Sequence, residues 1–262
     1  PDHHNYPVDL GRVLLEAGHP ERAAAEAKAY LARQPGHSAG LALDALASLA
    51  LGDEAAAARY FDYATVVSAT RLPVPQGFAD IATFNKALAA HAASHPTLMS
   101  APASHSTYAG LHSGSLLVEP RGPGAPFEEA VEAAVGDCWE RLSQATEQPF
   151  AARRPDNVVL AMWCIVLGRG SHQGPHIHPA AWLSGVYYPQ VPESIRTGTG
   201  PEGWLEFGQP DRPFPTKIPP PIHRVRPEEG LIVIFPSYLY HRTIPFAEDA
   251  TRISVAFDVV PI

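Results

Sequence analysis

The chain has 262 residues, and 19 Lys and Arg against 27 Asp and Glu give a formal net charge of −8. That balance disfavours strongly acidic partners and a protein held to nucleic acid by charge, which needs a clustered basic surface. No run of 18 apolar residues occurs, so no membrane span is expected. Two cysteines, Cys138 and Cys164, exclude a disulfide framework and fit buried thiols in a reducing cytoplasm.

Residues 8–64 are rich in Ala and Leu at helical spacing. Leu10, Leu14 and Leu15 precede Gly18, and Ala23, Ala24, Ala27 and Leu31 lead to Pro35-Gly36. The pattern then returns with Leu46, Leu49, Leu51, Gly52, Ala57, Ala58 and Phe61, so that Gly18 and Gly52 stand 34 residues apart. This period, with Gly at the turn and Ala where helices cross, resembles the tetratricopeptide repeat. A Pro-punctuated link at 72–77 leads to a helix expected over Phe78–His95, and His95-Pro96 ends it. Ser100–Ser115 reads as loop with extended segments, Leu116-Leu117-Val118 as a strand, and Phe127–Gln148 as a second amphipathic helix.

Proline rises along the chain, from 4 in residues 1–64 to 8 in 65–150 and 16 in 151–262. From residue 157 the pattern becomes short strands broken by Gly and Pro, the signal for an antiparallel sandwich or barrel. The expected strands are Val158–Leu167, Leu183–Tyr188, Trp204–Phe207, His223–Val225, Leu231–Phe235 and Ile253–Val259.

The chemistry lies in this β half. His176 and His178 are two apart on an extended segment and therefore share a face. One metal ion can accept both imidazoles, with His241 closing the site from another strand. Facial coordination by three side chains leaves positions open for a bidentate substrate and O₂. Arg252 follows His241 by 11 residues, with Ser254 on the same face, and a guanidinium with a hydroxyl suits a carboxylate. An H-x-H alone is more often a loop pair than a metal site; the order and spacing of the whole set are more specific.

The run Trp163…Gly168-Arg169-Gly170…His176-Ile177-His178-Pro179…Leu183-Ser184-Gly185-Val186-Tyr187-Tyr188…Pro192 resembles the core of a family of 2-oxoglutarate- and Fe(II)-dependent oxygenases. So does Gly203-Trp204-Leu205-Glu206-Phe207-Gly208…Pro227…Gly230-Leu231-Ile232-Val233-Ile234-Phe235-Pro236-Ser237…His241…Pro245…Arg252-Ile253-Ser254-Val255-Ala256-Phe257. The resemblance covers about residues 157–260, and such oxygenases are often preceded by tetratricopeptide repeats. It implies an α+β protein with N-terminal helical repeat hairpins, then a double-stranded β-helix (jelly roll) with supporting helices. The expected divisions are 1–70 for the repeat-like helices, 71–150 for the linker and supporting helices, and 151–262 for the catalytic core.

The resemblance further implies an enzyme that couples oxidative decarboxylation of 2-oxoglutarate to oxidation of a C–H bond. By position, His176 and His241 would ligate Fe(II), and Arg252 would bind the distal carboxylate of 2-oxoglutarate with Ser254 assisting. The aromatic residues Trp163, Trp182, Tyr187, Tyr188 and Trp204 read mainly as β core. One tyrosine hydroxyl is expected at the 2-oxoglutarate carboxylate, and Tyr187 is assigned to it. The wider superfamily usually carries an acidic residue where His178 stands. His178 is therefore the favoured third ligand, with Glu206, Asp211 or a water as alternatives, and no catalytic residue beyond the ligands is assigned. Three histidines raise the formal charge of an iron centre by one relative to two histidines and a carboxylate.

Two other readings stay open: a three-histidine cupin-type dioxygenase that does not use 2-oxoglutarate, and a non-catalytic repeat and jelly-roll interaction protein. Helical repeats often present peptide-binding surfaces. A peptide or protein substrate is thus the first expectation and an amino-acid-like metabolite the second, with a homodimer interface as another role for the helices. A cytoplasmic protein without nucleic-acid or membrane partners is expected. His3, His4, His19 and His37 read as surface residues, His91 and His95 as helix-face or cap residues, and His223 as structural. His172 and Gln173 lie near enough to the H-x-H to line its pocket; His105 and His112 are ambiguous.

Overall fold

The computed structural model describes residues 6–101, 105–119, 121–145, 147–152 and 154–262. His3 and His4 lie outside them. The chain opens with α1 (Tyr6–Glu16), α2 (Pro20–Arg33), α3 (Ser38–Leu51), α4 (Glu54–Tyr60) and α5 (Tyr63–Val66). The first four form two hairpins that turn at Gly18 and Gly52, each at φ 76°, a left-handed conformation that costs glycine nothing. The second hairpin is short: α4 ends after 7 residues, and the chain leaves for the sheet. Asp53 and Asp62 cap α4 and α5 by accepting the amides of Ala56 and Thr65. α3 is apolar around almost its whole circumference and almost wholly buried, so it serves as the hub between the other helices and the β half.

Then follow β1 (Ser68–Arg71), α6 (Ile81–Ala93), β2 (Met99–Ser100), β3 (Thr107–Tyr108), β4 (Leu111–His112) and α7 (Gly124–Leu142). The β half proper contains β5 (Val158–Leu167), β6 (His172–Gln173), β7 (Leu183–Gln190), α8 (Glu193–Thr197), β8 (Leu205–Phe207), β9 (His223–Val225), β10 (Leu231–Pro236), β11 (His241–Thr243) and β12 (Arg252–Pro261). The larger sheet runs β1-β10-β7-β12-β5-β4-β2, entirely antiparallel. Facing it are the small sheets β11-β8-β9 and β3-β6, joined to the site by a bridge between His176 and His241. This is the α+β jelly-roll architecture that the resemblance implies.

The central strands of the large sheet are buried on both faces. Its outer face carries Leu183, Tyr187, Val255, Phe257 and Cys164, and α6 packs there: Cys164 gives its thiol proton to the Ala92 carbonyl at 3.4 Å. Its inner face carries Trp163, Ser184, Tyr188, Arg252 and Ala256, which line the cavity between the sheets.

Three local expectations need correction. Residues 116–118 form a turn: Leu116 is buried and its amide reaches Met162, but the Ser115 hydroxyl accepts the Leu117 amide and bends the chain away from the sheet. Residues 68–71 form an edge strand on β10, although their Ser-Ala-Thr-Arg sequence carries no apolar alternation. His37 is half-buried rather than a surface residue: its ring packs edge-on to Tyr30, and Nδ1 accepts the Ala39 amide as the cap of α3. No helix among the described residues is long and apolar enough to cross a membrane.

Candidate metal centre and active site

His176 and His178 lie on the segment between β6 and β7, and His241 opens β11. Backbone bonds in both directions between His176 and His241, at 3.1 and 3.0 Å, hold the two segments in register. One nitrogen from each of the three imidazoles lies within 4.8 Å of the others. The other nitrogen is engaged in each case. Nδ1 of His176 donates to the Gly174 carbonyl at 2.8 Å, and Nδ1 of His241 to the Leu239 carbonyl at 3.0 Å. Nδ1 of His178 meets the Asp258 carboxylate at 2.6 Å. Since a carbonyl or carboxylate oxygen only accepts, Nδ1 carries the proton and Nε2 keeps its lone pair, the arrangement that orients metal-binding histidines.

Burial favours the neutral form of His176 and His241. Burial first, and the nearness of His178 second, lower the His176 pKa to about 4. His241 is pushed well below the usual value by burial and by both neighbouring rings. Such groups accept a divalent cation without first shedding a proton.

The two carboxylates considered as alternative ligands are engaged elsewhere. Glu206 alternates with Leu205 and Phe207 on β8 and faces away from the cavity, where its buried carboxylate is held by Arg224 at 2.6 Å and Arg242 at 2.6 Å. Asp211 pairs with Arg12 of α1 at 2.5 Å.

The cavity below the histidines has a volume of about 330 Å³. At its buried end stands Arg252, 1% exposed, with its guanidinium carbon 4.9 Å from the centroid of the Tyr188 ring. Arg252 Nε and Nη1 and Ser254 Oγ are buried without a hydrogen-bond partner among the described residues, and the Tyr188 hydroxyl lies beside the guanidinium. A buried cation with unpaired donors is costly unless an anion meets it. Burial lowers the Arg252 pKa and raises that of Tyr188, although a guanidinium stays charged at any ordinary pH. The residues therefore fit a dicarboxylate that chelates a metal at one end and meets Arg252 at the other.

Tyr187 is not part of this end. It sits on the outer face of β7, packed against Phe84 and Phe127, and its hydroxyl donates to Asn85. The neighbouring Tyr188 occupies the inner face instead. A bulge accompanies it: β7 advances from Tyr187 to Gln190 while β12 steps only from Val255 to Ile253. Asp258 escaped the sequence reading, although the period of two that joins Arg252 to Ser254 reaches it two steps later. At the open side, His105, Ser106, Thr107, His112 and Gln173 form the rim, and His112 stacks on Trp163. His172 stacks on the exposed Tyr108 just outside.

Residues 161–258 match the model of the family described as "Putative 2OG-Fe(II) oxygenase". Among solved structures, a Trichoplax adhaerens prolyl hydroxylase in complex with a hypoxia inducible factor peptide fragment aligns with a TM-score of 0.53 at 12% identity. That alignment covers 75% of this chain and 84% of the other. A Pseudomonas putida prolyl-4-hydroxylase aligns with a TM-score of 0.48 at 18% identity, over 77% of this chain and 96% of the other. At 12% identity the likeness to the Trichoplax enzyme is one of fold. The comparison with curated proteins finds no match. The matched segment contains His176, His178, His241, Arg252 and Ser254, so the part of this chain that carries the candidate site is similar to the core of that oxygenase family.

Proposed function

We propose that His176, His178 and His241 hold Fe(II), that Arg252 takes the distal carboxylate of 2-oxoglutarate, and that the enzyme hydroxylates a peptide or amino-acid-like substrate. The observation that carries this reading is the buried guanidinium of Arg252, whose Nε and Nη1 have no partner among the described residues, in the same cavity as the three converging imidazoles. A cupin-type dioxygenase without 2-oxoglutarate has no use for such a cation, and its burial disfavours that reading. When bound, the metal and co-substrate would supply the oxidising power, with O₂ consumed and 2-oxoglutarate leaving as succinate and CO₂.

This chain's own residues then bind and orient. Arg252 pairs with a carboxylate, Tyr188 and Ser254 offer it hydroxyl donors, and Phe235 and Leu205 line the cavity and exclude water. The rim supplies imidazole, hydroxyl and amide groups suited to backbone or polar groups of a substrate. Support for an extended substrate comes from a second groove of about 240 Å³. It shares His176 with the first and runs between Pro175–Pro179 and the helices, past Arg12 and Leu43. A peptide crossing the rim would find this groove beside it.

The test is anaerobic titration with Fe(II) and 2-oxoglutarate, read by the visible charge-transfer band of the chelate. The band is expected in wild type and lost in Arg252→Ala. Iron binding without a band would favour the cupin-type reading, and absence of iron binding would overturn the metal centre itself. A peptide library screened for succinate release then tests the substrate class; release only with free amino acids would reject the peptide.

A further inference from the structure

The inference rests on the metal-centre reading and deepens it: we propose that Asp258 is a positioning residue for that centre, acting through His178 and supplying the negative charge that three neutral histidines lack. Among the three histidines, only His178 directs Nδ1 at a charged acceptor; His176 and His241 meet backbone carbonyls. Asp258 lies on β12, on the face that carries Arg252 and Ala256 into the cavity. Its Oδ1 accepts from His178 Nδ1 at 2.6 Å and from Ser184 Oγ at 2.7 Å. The Ser184 hydroxyl in turn lies 2.7 Å from that of Ser237, whose carbonyl accepts the His178 backbone amide at 3.2 Å. One cluster drawn from three chain segments thus holds both the ring and the backbone of His178.

The charges support an electrostatic role as well. In the loaded site a divalent metal and a 2-oxoglutarate dianion cancel, leaving the buried Arg252 cation. Asp258 balances it, as a carboxylate ligand would, from one residue further out. A carboxylate behind a metal-binding imidazole also makes that ring a stronger donor.

Cobalt(II) tests this by visible absorption and calorimetry, without turnover, in wild type, Asp258→Asn, His178→Ala and the double variant. Asn keeps the shape and an acceptor oxygen but removes the charge. Asp258→Asn is expected to weaken cobalt binding by roughly 10–100-fold and to shift its visible band, with the metal-free melting temperature little changed. In the His178→Ala background the same substitution should cost far less affinity, because its main route to the metal is gone. Should Asp258→Asn fold poorly, Ser184→Ala, which removes one bond to the carboxylate, is expected to give a smaller loss in the same direction. Cobalt affinity and spectrum unchanged in Asp258→Asn, or an equal loss with and without His178, would overturn the proposal. Failure of wild type to bind cobalt would instead overturn the metal centre.

Discussion

Arg252 and Tyr188 lie face to face across neighbouring strands, the guanidinium carbon 4.9 Å from the ring centroid, both wholly buried. The contact gives the cation a π-face but satisfies neither Nε nor Nη1. Arg252→Met therefore removes an uncompensated buried charge and fills the space with an apolar chain. The metal-free variant is expected to melt at or above the wild-type temperature. Its 2-oxoglutarate affinity should fall at least roughly thirtyfold, the lower end of what truncating a buried charged partner costs. Thermal melting with and without 2-oxoglutarate checks both halves; a destabilised metal-free variant would show that Arg252 has a structural partner.

The two adjacent tyrosines separate cleanly. Tyr188→Phe removes a donor from the carboxylate end and should weaken 2-oxoglutarate binding by about 1 kcal/mol. Tyr187→Phe strips Asn85 of its buried partner and should cost about 1–3 kcal/mol of stability, with 2-oxoglutarate affinity unchanged. Calorimetry on one variant and denaturant titration on the other read the difference. The reverse pattern would place Tyr187 at the co-substrate.

Glu206 is the nearest acidic alternative in sequence terms, yet two arginines on the outer face hold it. Glu206→Gln is expected to lower stability by about 1–2 kcal/mol and leave Fe(II) affinity at the wild-type value. Loss of metal together with loss of stability would return Glu206 to the ligand set.

His37 gives a pH signature away from the metal. Burial lowers its pKa, and its Nδ1 must be unprotonated to accept the Ala39 amide. A histidine depressed in the fold binds its proton more readily in the unfolded chain, so its stabilisation is complete above the ordinary value of about 6.5 and declines as pH falls below it. His91, His112, His176 and His223 are lowered as well, and the whole chain should lose stability over that range. His37→Asn keeps a capping oxygen that does not titrate. Its melting temperature should fall less steeply than wild type between pH 7 and about pH 5; parallel curves would reject the cap.

Most of the site was legible because its signal is local and periodic: two-residue spacing puts His176 beside His178 and Arg252 beside Ser254 whatever the rest of the fold does. The parity of the Tyr187-Tyr188 pair was not legible. Both faces of β7 are buried, one under α6 and one over the cavity, so no polar alternation tells inside from outside. A bulge then resets the phase at that very point. The edge strand Ser68–Arg71 was invisible for the opposite reason, since it is mostly exposed and polar. Asp258 lies in a strand of otherwise apolar residues, and the fold sets it against Ser184 of β7 and the ring of His178.

Polar contacts stitch the helical hairpins to the β half, among them the following. Ser38 Oγ donates to the Ala181 carbonyl at 2.6 Å, the amides of Lys217 and Ile218 share the Leu49 carbonyl, and Arg12 holds Asp211. Ala181 closes the turn that begins at His178, its amide bonded to that residue's carbonyl. The segment bearing two of the three imidazoles is therefore clamped from behind by the first residue of α3. The wall behind the candidate metal centre is thus built partly from the N-terminal helices, not from the strands alone.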